Sequence, residues 1–190
     1  MSETVSPPPR SARATAIIAA AMAILEAEGR AALTMRRLAE AVGMRAPSLY
    51  KHFPDKAAVE TALIEQGFID AEQVFSEAAA TTSDPLSGVL GAYRRFATQR
   101  PQLYRLMTQG PLPRHLLAAG VEERASAVFG AAVGDPDLAR ALFAFAHGMM
   151  ILQLDERFLP DADLDAAWER GLRAFTATRR GGETRAAPTR

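Results

Sequence analysis

Residues 34–56 read TMRRLAEAVGMRAPSLYKHFPDK, and the order of residue types in this stretch predicts two short helices joined by a tight turn. Thr34 is a favourable N-cap for the first helix. Gly43 ends that helix, because glycine adopts the backbone conformation that a helix C-terminus requires. The second helix carries Pro47 in its first turn and ends by Phe53, because another proline follows. This spacing is typical of a helix-turn-helix.

Apolar and polar side chains of this stretch predict a packed side and an outward side. Leu38, Val42, Leu49 and Phe53 are assigned to packing. Residues 30–56 carry six basic and two acidic side chains, so the segment has a local surplus of positive charge. A protein that binds in a DNA groove combines cations for phosphates with short polar side chains for base edges. The stretch therefore favours DNA binding.

Residues 13–68 resemble the DNA-binding domain of the TetR family of bacterial transcriptional regulators. The features that carry the resemblance keep their order and spacing without gaps. They are Glu28-Gly29, Leu33-Thr34-Met35, Leu38-Ala39, Val42-Gly43, the run Ser48-Leu49-Tyr50-Lys51-His52-Phe53, and Asp55-Lys56. The resemblance implies a three-helix DNA-binding domain on a larger helical domain that dimerises and binds an inducer.

The resemblance also indicates which residues contact DNA. The candidates are Thr34, Arg36, Arg45, Ala46, Pro47, Ser48, Tyr50, Lys51, His52 and Lys56. We expect Arg45 and Ser48 to contact bases, and the last four of the list to approach phosphates. Pro47 stands where many relatives have a small flexible residue, and it fixes the start of the recognition helix.

Several of these positions keep a second interpretation. Arg36 and its neighbour Arg37 are either DNA contacts or solvated surface residues. Tyr50 is either a phosphate contact or a core aromatic. His52 is either a phosphate contact or a partly buried residue that caps a helix.

The composition of the 190-residue, 20.4 kDa chain favours an all-α protein. Alanine occurs 39 times and combines the best helix propensity with a poor strand propensity. The lack of cysteine excludes a disulfide framework, thiolate metal sites and a cysteine nucleophile. The net charge is zero, but it sums +2 in residues 1–60, −5 in residues 61–178 and +3 in residues 179–190. The N-terminal part, which contains the predicted helix-turn-helix, is thus net positive, whereas the central part is net negative.

Catalytic, metal-binding and membrane-spanning functions find no support in the sequence. The three histidines His52, His115 and His147 lack metal-ligand spacing, and neither a glycine-rich phosphate loop nor a nucleophile elbow occurs. We therefore expect no enzymatic activity, no metal and no cofactor. No apolar run reaches the roughly 18–20 residues of a membrane helix. Without a recognisable signal peptide, the sequence predicts a cytoplasmic protein.

Proline and glycine positions, together with the roles that the resemblance implies, divide the chain into four predicted parts. These are a disordered arm (1–10), a DNA-binding domain (11–71), a helical ligand-binding and dimerisation domain (72–178) and a disordered tail (179–190). The helices predicted in the third part are Pro85–Arg100, Pro101–Thr108, Arg114–Val133, Pro136–Phe158 and Asp163–Arg179.

The C-terminal part resembles one subfamily of these regulators in residues 100–107 and 143–148. That subfamily carries a tryptophan four residues before a His-Gly pair, where this chain has Phe143. The resemblance implies dimerisation through the last two helices. Apolar and aromatic side chains are expected to line an inducer cavity, although the same spacing is also typical of plain core. The candidates are Phe96, Leu103, Tyr104, Met107, Leu116, Phe143, His147 and Met150.

Together with these residues, the family resemblance implies a homodimeric repressor that a small, largely apolar ligand releases from a palindromic DNA operator. Two alternatives remain. One is a regulator or activator that binds DNA without any ligand. The other is a helical interaction protein that does not bind DNA.

Overall fold

The computed structural model describes the backbone of residues 10–185 and the side chains of residues 10–179. Most of the predicted N-terminal arm (1–9) and the last five residues of the predicted tail lie outside these ranges. The described backbone contains helices and no β-strand, which confirms the all-α prediction. No described helix is long and apolar enough to cross a membrane.

The described residues form nine α-helices and one short 3-10 helix at Arg114–Leu116. The α-helices are α1 (Ala12–Glu28), α2 (Met35–Ala41), α3 (Ala46–Tyr50), α4 (Lys56–Thr81), α5 (Pro85–Gln99), α6 (Pro101–Thr108), α7 (Val121–Val133), α8 (Pro136–Leu154) and α9 (Leu164–Arg185).

The chain forms two compact units, and α4 contributes to both. The first unit contains residues 10–70 and Arg100–Glu123, and the second contains Ala71–Gln99 and residues 124–185. The predicted C-terminal part (72–178) includes residues 100–123, which belong to the first unit in the structure. In the structure, Glu26 of α1 accepts hydrogen bonds from the backbone N–H groups of Gln102 (3.3 Å) and Leu103 (2.8 Å) at the start of α6. These are donors that a helix N-terminus leaves unpaired.

Other contacts of the first unit hold the segment after α6. The carboxylate of Glu65 on α4 accepts a hydrogen bond from the backbone N–H of Ala118 (2.6 Å) and forms an ion pair with Arg10. Gly67 lets α6 approach α4 closely, since a Cβ there would lie 2.5 Å from the sulfur of Met107. Polar and steric contacts together therefore place α6 and its following segment beside α4.

The second unit is built around a cluster of five aromatic rings. Most pairs in the cluster meet edge to face, with ring centroids 5.5 Å apart for Phe75–Phe129 and for Tyr93–Phe129. This is the geometry that aromatic quadrupoles favour. The members of the cluster are Phe75, Tyr93, Phe96, Phe129 and Phe143. On α9, Trp168 packs against Phe145 and beneath the guanidinium of Arg94.

Three predicted boundaries differ from the structure. The helix predicted from Arg114 begins at Val121, because Gly120 has a positive φ of 77° that interrupts the segment. The helix predicted to reach Phe158 ends at Leu154. The helix predicted to end at Arg179 continues to Arg185, and Arg179 hydrogen-bonds the carbonyl of Ala132 (2.9 Å). A local pattern could not reveal that anchoring contact.

Two glycines provide a test of packing in the second unit. A Cβ at Gly88 would lie 2.5 Å from the carbonyl oxygen of Ala78, whereas a Cβ at Gly130 would meet no atom within 4 Å. We expect Gly88→Ala to lower the free energy of unfolding by about 1 kcal/mol or more. The steric clash of the added methyl group costs more free energy than the higher helix propensity of alanine contributes. Gly130→Ala should raise it by up to about 1 kcal/mol. Chemical denaturation of both variants measures the difference, and equal shifts would contradict this packing.

Candidate DNA interface

Helix α2 and the turn after it are defined by local backbone contacts. The hydroxyl of Thr34 accepts a hydrogen bond from the backbone N–H of Arg37 (3.1 Å), which is the predicted N-cap. Gly43 has a φ of 61°, in the left-handed region that favours glycine. The backbone N–H of Met44 donates back to the carbonyl of Ala39 (2.9 Å). The chain thus leaves α2 in one turn.

Helix α3 has only five residues. Arg45 is its N-cap residue with extended backbone angles, and Pro47 lies in its first turn as predicted. Leu49 is 0% exposed, so one side of the helix is anchored in the first unit. The backbone N–H of Phe53 donates to the carbonyl of Leu49 (3.0 Å) and closes the segment. The remaining side chains of α3 point away from this anchor.

Nine of the ten predicted DNA-contacting residues are exposed and Lys56 is half-buried. Tyr50 is 49% exposed, so the core interpretation of this aromatic is wrong. His52 is also exposed and its side chain makes no hydrogen bond to a described residue, so it does not cap a helix. The exposed nine are Thr34, Arg36, Arg45, Ala46, Pro47, Ser48, Tyr50, Lys51 and His52.

Two arginines of the segment have carboxylate partners. Arg37 binds Glu28 through Nε (3.2 Å) and Nη2 (2.6 Å). The hydrogen bond and charge of Arg37 hold the pKa of the Glu28 carboxyl below its usual value. Arg30 binds Glu60 in the same two-pronged way, at 2.9 Å and 2.8 Å. The pair with Glu28 supports the interpretation of Arg37 as a surface residue that does not contact DNA.

No other cation of the segment binds a carboxylate of the described chain through two hydrogen bonds. The side chains of Arg45 and Lys51 form no ion pair or hydrogen bond with any residue in the described part of the chain. Arg36 lies 3.8 Å from Glu40, and its side chain is 90% exposed. An exposed ion pair of this length contributes little to stability, so Arg36 can exchange it for a phosphate at little cost.

Lys56 differs from the other candidates. Its Nζ donates to the backbone carbonyl of Arg30 (2.9 Å) and lies 3.6 Å from the carboxylate of Glu60. In this conformation Lys56 therefore ties the start of α4 to the segment between α1 and α2. Contact with a phosphate would require it to leave or share these partners.

Sequence reasoning missed the carboxylates that pair with the basic residues. The contact between Lys56 and Glu60 spans four helical positions, which is a spacing that a sequence can reveal. The pairs of Arg37 with Glu28 and of Arg30 with Glu60 join residues of different helices or loops, so they depend on tertiary structure.

The predicted ligand-cavity residues are divided between the two units. Leu103 and Tyr104 are buried in the first unit, where Met107 and Leu116 line a common cavity. The other four candidates belong to the second unit: Phe96, Phe143, His147 and Met150.

Two of these candidates are exposed, contrary to the expectation of an enclosed site. Leu116 is 52% and Phe143 is 47% exposed, because the first is the last residue of a surface 3-10 helix and the second lies at the edge of the aromatic cluster. The ring of Phe143 stacks on His147, and burial lowers the pKa of that histidine, which favours its neutral form.

The cavity of the first unit has a volume of about 250 Å³. It lies among the start of α4, the end of α6 and the segment after α6. Its lining comprises Arg30, Ala57, Glu60, Thr61, Ile64, Leu106, Met107, Gln109, Gly110, Pro111, Leu112, Pro113 and Leu116. Among the described residues, no group of three or more histidine, aspartate or glutamate side chains could hold a metal ion.

Two family models match the chain. The model of bacterial regulatory proteins of the tetR family matches residues 17–63, which include α2 and α3. The model of the tetracyclin repressor-like C-terminal domain matches residues 86–175.

Curated proteins similar to this chain include nucleoid occlusion factors. The SlmA protein of Aliivibrio fischeri is 35% identical over 108 residues, which are 53% of this chain and 54% of that protein. The SlmA protein of Actinobacillus pleuropneumoniae is 32% identical over 87 residues, 43% of this chain and 42% of that protein. The chain therefore matches about half the length, or less, of these relatives.

Solved structures share the fold over most of the chain. A protein from Rhodococcus sp. RHA1 has a TM-score of 0.73 and 24% identity, covering 93% of this chain and 98% of that one. A TetR variant from Acinetobacter baumannii in complex with minocycline has a TM-score of 0.61 and 23% identity, covering 92% and 98%. A regulator of the TetR/AcrR family from Thermobifida fusca has a TM-score of 0.59 and 18% identity, covering 86% and 96%. The helix-turn-helix, the two family matches and the shared fold agree: this chain belongs to the TetR family of DNA-binding transcriptional regulators, which are not enzymes.

Proposed function

We propose that this protein is a homodimeric repressor that binds a palindromic DNA operator and is released from it by a small ligand. The observation that carries the proposal is the surface of α3, where Arg45, Ser48 and Lys51 are exposed and the two cations have no partner in the described chain. Binding a phosphate or a guanine edge there breaks no intramolecular ion pair. Arginine contacts guanine O6 and N7 through two hydrogen bonds, so Arg45 is assigned to base recognition.

A dimer explains how a helix as short as α3 can give sequence-specific binding to DNA. Two α3 helices related by a two-fold axis would contact successive major grooves, which lie roughly 34–36 Å apart on one face of DNA. We assign the dimer contact to α8 and α9. On α8, Ala144, Gly148 and Ile151 share the side opposite to buried Leu142 and Met150, and the small residues Ala144 and Gly148 allow close helix packing there.

Release by a ligand requires a conformer that the ligand binds more tightly and that binds DNA less tightly. The cavity of the first unit supports this part of the proposal, because its lining includes residues from the start of α4 and from the segment before α2. One structural relative was solved in complex with minocycline.

One observation favours the alternative of a ligand-independent regulator. Phe96 and Phe143, which were predicted to line an inducer cavity, pack against the other rings of the aromatic cluster. A screen for compounds that raise the melting temperature separates the two functions. If no compound stabilises the protein while DNA binding persists, the ligand-independent function is correct.

Selection from a pool of random duplexes tests DNA recognition directly. We expect the full chain to enrich a palindrome, because a symmetric dimer presents the same α3 to each half-site. Recovery of an unordered pool, with no shared motif after repeated rounds, would favour an interaction protein without DNA binding.

Arg45 and Lys51 are expected to differ in their effects on DNA affinity. Arg45→Ala should weaken binding to the selected palindrome by about 1–3 kcal/mol and weaken binding to random duplex much less. Lys51→Ala should weaken both alike, since it contacts phosphates. Fluorescence anisotropy measures these affinities, with the exposed Arg95→Ala on α5 as a control that leaves both unchanged. Equal losses for Arg45→Ala on both DNAs would remove it as a base-contacting residue.

Dimerisation through α8 can be tested at Ala144, which is exposed in the single chain. We expect Ala144→Arg to give a monomer in analytical ultracentrifugation, because a long cation would separate the two helices. Its affinity for the palindrome should fall by about tenfold or more, since the two half-sites would no longer be bound together. Ala131→Arg, at an exposed alanine of α7, is the matched control. A dimeric Ala144→Arg protein would place the interface elsewhere.

A further inference from the structure

The cavity of the first unit combines an apolar wall with a few polar groups. Apolar side chains come from α4, α6 and the segment after α6, and include Ile64, Leu106, Met107, Leu112 and Leu116. Arg30, Glu60 and Thr61 line the same space. Small-molecule sites in proteins have this character, because the apolar wall supplies affinity while few polar groups supply orientation.

Arg30 retains donors that its carboxylate partner does not use. A guanidinium carries five N–H donors, and Glu60 accepts one bond from Nε and one from Nη2. The Arg30 side chain makes no other hydrogen bond within the described residues. Its remaining donors are therefore available to a second acceptor, and a carboxylate is the acceptor that fits the planar fork of an arginine.

The charges around Arg30 favour an anion over a cation. The Nζ of Lys56 lies 3.6 Å from Glu60, so two cations surround one carboxylate. Burial raises the pKa of Glu60, but the hydrogen bonds and charges of Arg30 and Lys56 outweigh it and hold this pKa below its usual value. The group is thus ionised at neutral pH, and the cluster of three keeps one net positive charge that a single anionic group would neutralise.

Thr61 places a hydroxyl donor among the residues that line the cavity. The residue is 8% exposed and lines the cavity, and its hydroxyl makes no hydrogen bond to the described part of the chain. The hydroxyl can therefore donate a hydrogen bond to a ligand. A carboxylate oxygen in the cavity would accept this hydrogen bond.

We infer that this cavity binds a small carboxylic acid with an apolar body, whose carboxylate contacts Arg30 and Thr61 and whose body lies against Ile64, Met107 and Leu112. The volume of about 250 Å³ falls below the roughly 300–1,000 Å³ of sites for drug-sized molecules, so the ligand is a small one. The inference rests on the proposed ligand-released regulator and gives that ligand its chemical class and its site.

The site also offers a route from ligand to DNA-binding surface. A carboxylate that shares Arg30 competes with Glu60, and Glu60 is a partner of Lys56. Lys56 in turn holds the carbonyl of Arg30 and begins α4 directly after the α3 segment. Occupation of the cavity therefore changes the partners of a residue that is also assigned to phosphate contact.

The test uses hexanoate and benzoate as probes, with hexan-1-ol and benzyl alcohol as neutral controls. Isothermal titration calorimetry of the full chain without DNA measures binding. We expect the acids to bind about tenfold or more tightly than the alcohols, because only the acids pair with Arg30. If neither acid binds up to its solubility limit, or if acids and alcohols bind equally, the inference is overturned.

Three variants locate the site. Arg30→Gln should weaken the acids about tenfold and leave the alcohols unchanged. Glu60→Gln should tighten the acids, since it removes the competing carboxylate, and this opposite sign cannot result from misfolding. Arg114→Gln breaks a similar two-pronged pair with Glu122 outside the cavity lining and is the matched control. An equal loss in Arg30→Gln and Arg114→Gln, or weaker binding in Glu60→Gln, would refute the assignment.

DNA titration with and without the bound acid separates this inference from the proposed function. Weaker operator binding in the presence of the acid supports both. Acid binding without any change in operator affinity retains the site but refutes ligand release. Operator binding in a protein that binds no acid retains the DNA-binding function and refutes the site.

Discussion

The burial of Leu49 is the constraint on which the DNA-binding surface depends. A five-residue helix such as α3 cannot be stable alone, because helix nucleation is unfavourable and so few residues add little to it. Leu49 is fully buried and Phe53 is nearly so, and these two side chains attach α3 to the rest of the first unit. The attachment also determines the rotation of α3 about its axis. Ser48 and Lys51 are outward because Leu49 is inward, and Arg45 precedes the helix as its N-cap residue with extended backbone angles.

The parts of the fold that sequence analysis predicted are those defined by local interactions. Thr34 caps a helix through a backbone N–H three residues away, and Gly43 ends that helix through its own dihedral angle. Pro47 restricts its own φ and needs no hydrogen-bond donor in the first turn. Each effect acts within one turn of chain, so a single sequence contains the information. The position of Tyr50 was left open by the sequence, and the structure shows that the side chain is exposed.

The parts that sequence analysis did not predict depend on contacts between distant residues. The start of α7 was misplaced because Gly120 adopts a positive φ that only the structure defines. The placement of α6 beside α1 depends on Glu26, which binds the backbone of residues more than seventy positions away. Met107 and Phe96 were both predicted to line a ligand cavity, but Met107 lines the cavity of the first unit and Phe96 packs in the aromatic cluster. Helical periodicity identifies inward-facing residues but does not distinguish a cavity from a packed cluster.

The ion pairs of Arg30 and Arg37 bear on how the protein competes with salt for DNA. DNA holds condensed counterions, and each phosphate neutralised by a protein cation releases them, with a slope of about −0.9 in log affinity against log salt per phosphate. An arginine that must first leave a carboxylate gains little from this release. Cations without a carboxylate partner in the described chain, such as Arg45 and Lys51, keep the full gain in DNA affinity from counterion release. The electrostatic footprint on DNA is therefore smaller than the six basic residues of positions 30–56 suggest.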